Sequence, residues 1–180
     1  MRFFHALATT AAGVWFGGMI LIAIVAATTF GEMRKTGVDH PNAIAGQVMA
    51  KNFARFDTIQ IVCAAVILLW QIMQLVIRGR TALDWLRLVP IVLASGLLAY
   101  SVCVLTPKIL SLQSTVAGAD AEAAARAVFD DFHRSAVRVS QINLVLLVVI
   151  LITLAWQRPD ARPATGDAGA PPAPAEGAPR

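Results

Sequence analysis

The side chains here that could do chemistry are the imidazoles of His5, His40 and His133, the thiols of Cys63 and Cys103, and a carboxylate, Asp57, beside Gln60 in an apolar setting. Imidazole with thiolate suits Cu(I) or Zn, a pair of imidazoles suits haem iron, and an ionisable group within an apolar segment is a functional candidate by default. The densest polar stretch is Asp131–Leu144, DFHRSAVRVSQINL, which leads straight into the apolar run VLLVVILITLAW. No GxSxG, HExxH, P-loop, CxxC or paired-carboxylate motif accompanies these residues. An enzyme of the soluble type therefore has no support, and neither catalytic residues nor a cofactor are assigned.

What such residues can do depends on the elements that hold them. Of 180 residues, 57% are hydrophobic and only 14% charged, against roughly 25% charged in soluble domains, and the mean hydropathy is +0.67. Four apolar runs cover about residues 7–30, 58–77, 85–105 and 139–156. Each approaches the ~20 residues that a bilayer requires. The first is longer than the ~7–15 residue core of a signal peptide, so it reads as a retained span. Backbone polar groups must be satisfied internally in hydrocarbon, and no strand alternation supports a barrel, so the spans are helices. The expected fold is an all-α integral membrane protein: a four-transmembrane-helix bundle over residues 1–156 with a disordered tail over 157–180, rich in Pro, Ala and Gly.

The two long loops carry further helical signals. After Pro41, residues Ala45, Val48, Met49, Phe53 and Phe56 share one face, which predicts an amphipathic helix on the membrane surface or on its neighbours. The second loop is expected to break at Thr106–Pro107 and again near Gly118. Asp120 then caps a helix that continues into the fourth span, with Glu122/Arg126 and Asp130/Arg134 pairs along it.

Arg2, Arg78, Arg80, Arg87, Arg158 and Arg162 crowd the span ends on one side, which places both termini in the cytoplasm of a bacterial inner membrane. Trp70, Trp85 and Trp156 approach the same face as an aromatic belt. The net charge of +4 is spread over loops without a dense basic patch, so nucleic acid is not an expected partner.

Four crossings put His5 and His133 on opposite faces, ~30 Å apart, and one haem cannot bridge them. Cys63, Cys103 and His133 fall on the same far side, with His40 and Asp130. They form the only metal set the topology allows, and ordinary packing accounts for the two cysteines more simply. On a helical wheel His133, Ser140 and Asn143 share one sector, which predicts a stripe facing the bundle or a polar cavity, while Arg134 and Arg138 point elsewhere, toward headgroups. His5, Thr9, Gly13 and Gly17 recur every four residues as a small-residue seam, read first as packing inside the bundle and second as a dimer face.

The opening span, FHALATTAAGVWFGGMILIAIVAATTFGEM, carries His5 near its start, the Trp-x-Gly-Gly core Trp15-Phe16-Gly17-Gly18 and an aromatic end, and a His…Asn stretch opens the last span. In these features, over about residues 3–156, the chain resembles the transmembrane-protein-205-like family, a bacterial membrane domain of unknown function. The separation of His133 from Asn143 is wider here than in that family's compact His/Ser/Asn cluster. The resemblance implies four helices and no assigned reaction, with a looser likeness to copper-resistance membrane domains. The expectation is a non-enzymatic structural or interaction module, in contact with lipid and with a protein partner or a second copy. The alternative is a small transporter or a copper-like metal-handling protein.

Overall fold

A computed structural model describes residues 2–78, 82–116 and 123–156. Within it run α1 (Arg2–Met33), α2 (Pro41–Arg78), α3 (Ala82–Tyr100), a π-helical turn (Ser101–Leu105), α4 (Thr106–Val116) and α5 (Ala123–Ala155). Arg2–Met33, Pro41–Ile77, Asp84–Gln113 and Ala123–Ala155 are long and apolar enough to cross a membrane. The chain is an all-α integral membrane protein built on these four rods. α1 packs on α2, α2 on α3, α3 on α5 and α5 back on α1, so antiparallel neighbours close a ring.

The seam of that ring is made by small side chains. Ala8, Ala12 and Ala94 have no exposed surface, and around them lie Trp15, Ile67, Trp70, Leu98, Leu147, Ile150 and Leu154. Lipid is as apolar as leucine, so burial alone gives little drive, and close van der Waals contact between small residues does the work. The outside is correspondingly apolar: Leu21, Leu69, Val76 and Val145 all stand exposed. In water such a surface would aggregate; in a bilayer it is solvated.

The helices overrun the hydrocarbon on one side. α2 begins at Pro41, well before its apolar run at about residue 58, and at ~1.5 Å per residue this first part adds ~25 Å. The first half of α5 adds a similar length, and α4 stands beside it. The amphipathic segment after Pro41 is thus continuous with the second span and rests on its neighbours, because no proline and only Gly46 interrupts it. Ala45, Met49 and Phe56 of its apolar face are buried, whereas Val48 and Phe53 are exposed.

Some expectations are corrected. The chain does not break at Thr106–Pro107: the Thr106 N–H reaches back to the carbonyl of Ser101, five residues earlier, through the π turn. Proline has no N–H and its ring crowds the preceding turn. A local widening accommodates both and lets the rod continue. Arg134 pairs with Asp131 rather than Asp130, since three residues apart is as near as four on a helix surface. Trp70 is buried and packs its ring 5.9 Å from that of His5, leaving the lipid-facing belt to the exposed Trp85 and Trp156. The capping by Asp120, the break at Gly118, Glu122 and the tail lie outside the described residues.

Candidate functional site

Two polar regions stand out, one inside the bundle and one at its overrunning end. Inside, the indole N–H of Trp15 donates to Oε1 of Gln60 at 2.8 Å, and both side chains are buried. The Gln60 amide in turn donates to Asp57, a longer contact of 3.4 Å. The Thr106 side chain, just after the π turn, lies near the Asp57 carboxylate. The bonds from Trp15 through Gln60 to Asp57 therefore tie α1 to α2, with Thr106 of α4 beside them. Asn143 of α5 is 3% exposed, and its Oδ1 has no hydrogen-bond partner among the described residues. A buried polar atom left this way costs about 1–3 kcal/mol.

The second region is a cleft of ≈ 750 Å³ among α1, α2, α4 and α5. Phe30, at the end of the first apolar run, forms part of its wall with Phe129 and Val116; Arg34, Arg126, Asn42 and Gln113 bring donors to it; His40, Asp130 and His133 complete the polar side. The backbone explains why these groups converge. α1 ends at Met33, and a short turn through Gly37, in the left-handed region at φ 68°, reverses the chain into α2. His40 also sits in the left-handed region, at φ 55°, and its carbonyl accepts the N–H groups of Ala43 and Ile44. Such a backbone is uncommon for a residue with a Cβ and persists where the surroundings enforce it. Arg34 is held across the reversal by a bond from its Nε to Oδ1 of Asn42, 3.1 Å. Gln113 reaches in because Gly46 lacks a side chain: a Cβ there would stand 2.4 Å from the Gln113 amide nitrogen.

The residues singled out from the sequence divide between these regions and the surface. His133 lines the cleft, its ring stacked on Phe129 at 6.1 Å. Of its stripe, Asn143 enters the bundle while Ser140 and His133 are exposed. Trp15, Gln60 and Asp57 form the inner chain. Thr9 is engaged locally, its hydroxyl donating to the carbonyl of His5 at 2.9 Å, and Nδ1 of His5 is buried without a partner among the described residues. Gly13 and Gly17 do not pack inside the bundle, because a Cβ on either would meet nothing within 4 Å; Gly18, by contrast, lies against the ring of Phe56. The face of α1 that enters the bundle is Ala8, Ala11, Ala12 and Trp15.

The metal set does not assemble. Cys63 is buried in the core and Cys103 lies exposed in the π turn, both as free thiols. Cys103 borders a separate shallow hollow with Pro107 and Lys108. Among the described residues no three His, Cys, Asp or Glu side chains are grouped to hold a metal ion.

Several polar residues went unremarked in the sequence. Gln71 and Gln74 are buried within the second span, and the Gln71 amide donates to the carbonyl of Asp84 at 3.2 Å, tying α2 to the start of α3. Two glutamines three apart in LLWQIMQLVI were the available signal. Arg34, Asn42 and Gln113 had no comparable signal, being unremarkable loop and helix residues until the fold brings them together.

No curated protein and no solved structure matches the chain significantly. Residues 10–117 match a family model described as a domain of unknown function, DUF4149. That stretch runs from the first turns of α1, through Trp15, Gln60, Asp57 and Thr106, to the end of α4, and the chain belongs to the DUF4149 family.

Proposed function

We propose that this protein is a structural or interaction module of the bacterial cytoplasmic membrane, not an enzyme, with both termini in the cytoplasm and a protein partner or second copy at its overrunning end. The supporting observation is the position of its large open cleft. A packed apolar core fills the bundle from Ala8 and Leu154 through Trp15 and Leu98, and the large cleft lies at the opposite end. Such a molecule is built to hold something at one face, and a filled core does not suit conduction. Val48 and Phe53, exposed on α2 beyond its apolar run, are suited to contact with a partner.

Photo-crosslinkers at Val48 and Phe53 of the full chain in native membranes should give a discrete protein adduct. The lipid-facing positions Leu69 and Val145 should not. Equal adducts at both sets, or none at Val48 and Phe53, would count against the reading.

A second reading, a small transporter or copper-like metal handler, draws on His40, Asp130 and His133 sharing one cleft. It must do without Cys63 and Cys103, and as placed His40, Asp130 and His133 are not grouped closely enough to hold an ion together. The likeness to the transmembrane-protein-205-like family, carried by Trp15-Phe16-Gly17-Gly18, belongs with these proposals and favours neither reading.

A further inference from the structure

The end of the bundle opposite the cleft holds buried polar atoms in an unusual concentration. Trp70, Gln71 and Gln74 are only 4%, 1% and 2% exposed. Yet Nε1 of Trp70, Oε1 of Gln71 and Nε2 of Gln74 have no hydrogen-bond partner among the described residues, and neither has the buried Nδ1 of His5. At ~100° per residue the three α2 side chains fall within one sector of about 100°. Trp70 stands at the α1 edge of that sector, its ring 5.9 Å from the ring of His5. Gln71 stands at the α3 edge, bonded to the carbonyl of Asp84, and Gln74 lies between. The four atoms belong to one locus, where α2 meets the start of α1 and the start of α3.

Their chemistry is complementary to water. The indole N–H of Trp70 and the amide of Gln74 donate. A carbonyl only accepts, so the bond to Asp84 turns the Gln71 nitrogen toward α3 and leaves Oε1 as an acceptor. Nδ1 of a neutral imidazole accepts in one of its two tautomers. Two donors and two acceptors match the two lone pairs and two hydrogens of a water molecule. An anion would face the Gln71 oxygen and a cation the two N–H donors. Buried polar groups are as a rule hydrogen-bonded, and four left dry together would cost a large share of a protein's stability. Water also has a short way in. Gln74 lies ~5 Å from the end of the apolar run at residue 77, at ~1.5 Å per residue, and His5 is partly exposed.

We propose that bound water occupies this locus and bridges α1 to α2, accepting from Trp70 and Gln74 and donating to Gln71 and His5. Buried waters typically make about three hydrogen bonds to groups that would otherwise be unsatisfied. Between helices in lipid, where apolar burial gives little drive, such a bridge holds the start of α1 in place. The site stands or falls separately from the partner proposed at the other end.

Water-to-protein magnetisation transfer in NMR spectra of the isotope-labelled full chain in lipid nanodiscs tests it at the indole N–H groups. Trp15 and Trp70 are both buried, but Trp15 already donates to Gln60. The Trp70 indole should therefore show a cross-peak to water of dipolar sign, and the Trp15 indole none; W70F and W15F assign the two signals. Gln74→Met keeps the side chain's length and removes its donor. It should weaken the Trp70 cross-peak and lower the melting temperature by about 2–4 °C, the loss of one hydrogen bond. In a dry site the same change removes an unsatisfied donor and raises the melting temperature. A Trp70 indole as silent as that of Trp15, or a cross-peak with the sign of proton exchange alone, would overturn the proposal. So would a higher melting temperature in Gln74→Met. Should that variant fail to fold, the wild-type Trp70 cross-peak carries the test.

Discussion

At the scale of single residues, three glycines of α1 that look alike in sequence are physically unlike. A methyl group on Gly18 would stand 2.3 Å from Cε2 of Phe56, whose ring is itself 9% exposed, so the ring must move. On Gly13 or Gly17 the same methyl would meet nothing within 4 Å. Overpacking of this sort costs about 1–3 kcal/mol, whereas a glycine replaced at an open helical site gains up to about 1 kcal/mol from propensity. Gly18→Ala should therefore lower the melting temperature of the detergent-solubilised protein, and Gly13→Ala and Gly17→Ala should leave it unchanged or raise it. A drop with Gly17→Ala as large as that with Gly18→Ala would show that the exposed seam is packed in solution, as a dimer face would be. The Trp-x-Gly-Gly core was visible in the sequence. Which of its glycines faces a neighbour was not, because i and i+1 on a helix point ~100° apart and only the neighbour's position selects between them.

At the scale of elements, the close approach of α1 to its neighbours depends on alanine. Ala12 has no exposed surface, whereas Leu7 on the same helix is 42% exposed. Ala12→Leu should destabilise the bundle by about 1–3 kcal/mol, while Leu7→Ala, toward lipid, should stay within about 0.5 kcal/mol; thermal melts of the two proteins side by side would measure this. Equal effects would mean that α1 packs by another face. The existence of four helices was legible from the four apolar runs, since length and hydropathy alone require it. Their continuity was not. Proline at 107 predicts a break by local rules, yet the π turn before it absorbs the missing donor. Likewise the shared apolar face from Ala45 to Phe56 suggested an amphipathic helix on the membrane surface or on its neighbours, yet nothing in the backbone stops α2 there.

At the scale of the whole molecule, the even number of crossings returns the chain to the side on which it began. Reporters fused at the amino terminus and after Trp156 should therefore register one compartment, the cytoplasm in the orientation proposed from the arginines near the span ends. An external carboxyl terminus would invert the proposed orientation and turn the cleft toward the cytoplasm.

The sequence by itself determined the solvent, the number of helices and the separation of His5 from His133 on opposite faces, because each follows from composition and from lengths along the chain. It also placed His40, Asp130 and His133 on one side. Only the tertiary structure decided that these three share a cleft with Arg34, Arg126 and Gln113, that Trp15 bonds Gln60, and that Cys63 and Cys103 do not join His133 in a metal site. Topology assigns a residue to a membrane face; the rotation of each helix about its own axis, set by the packing of Ala8, Ala12 and their neighbours, assigns it a direction.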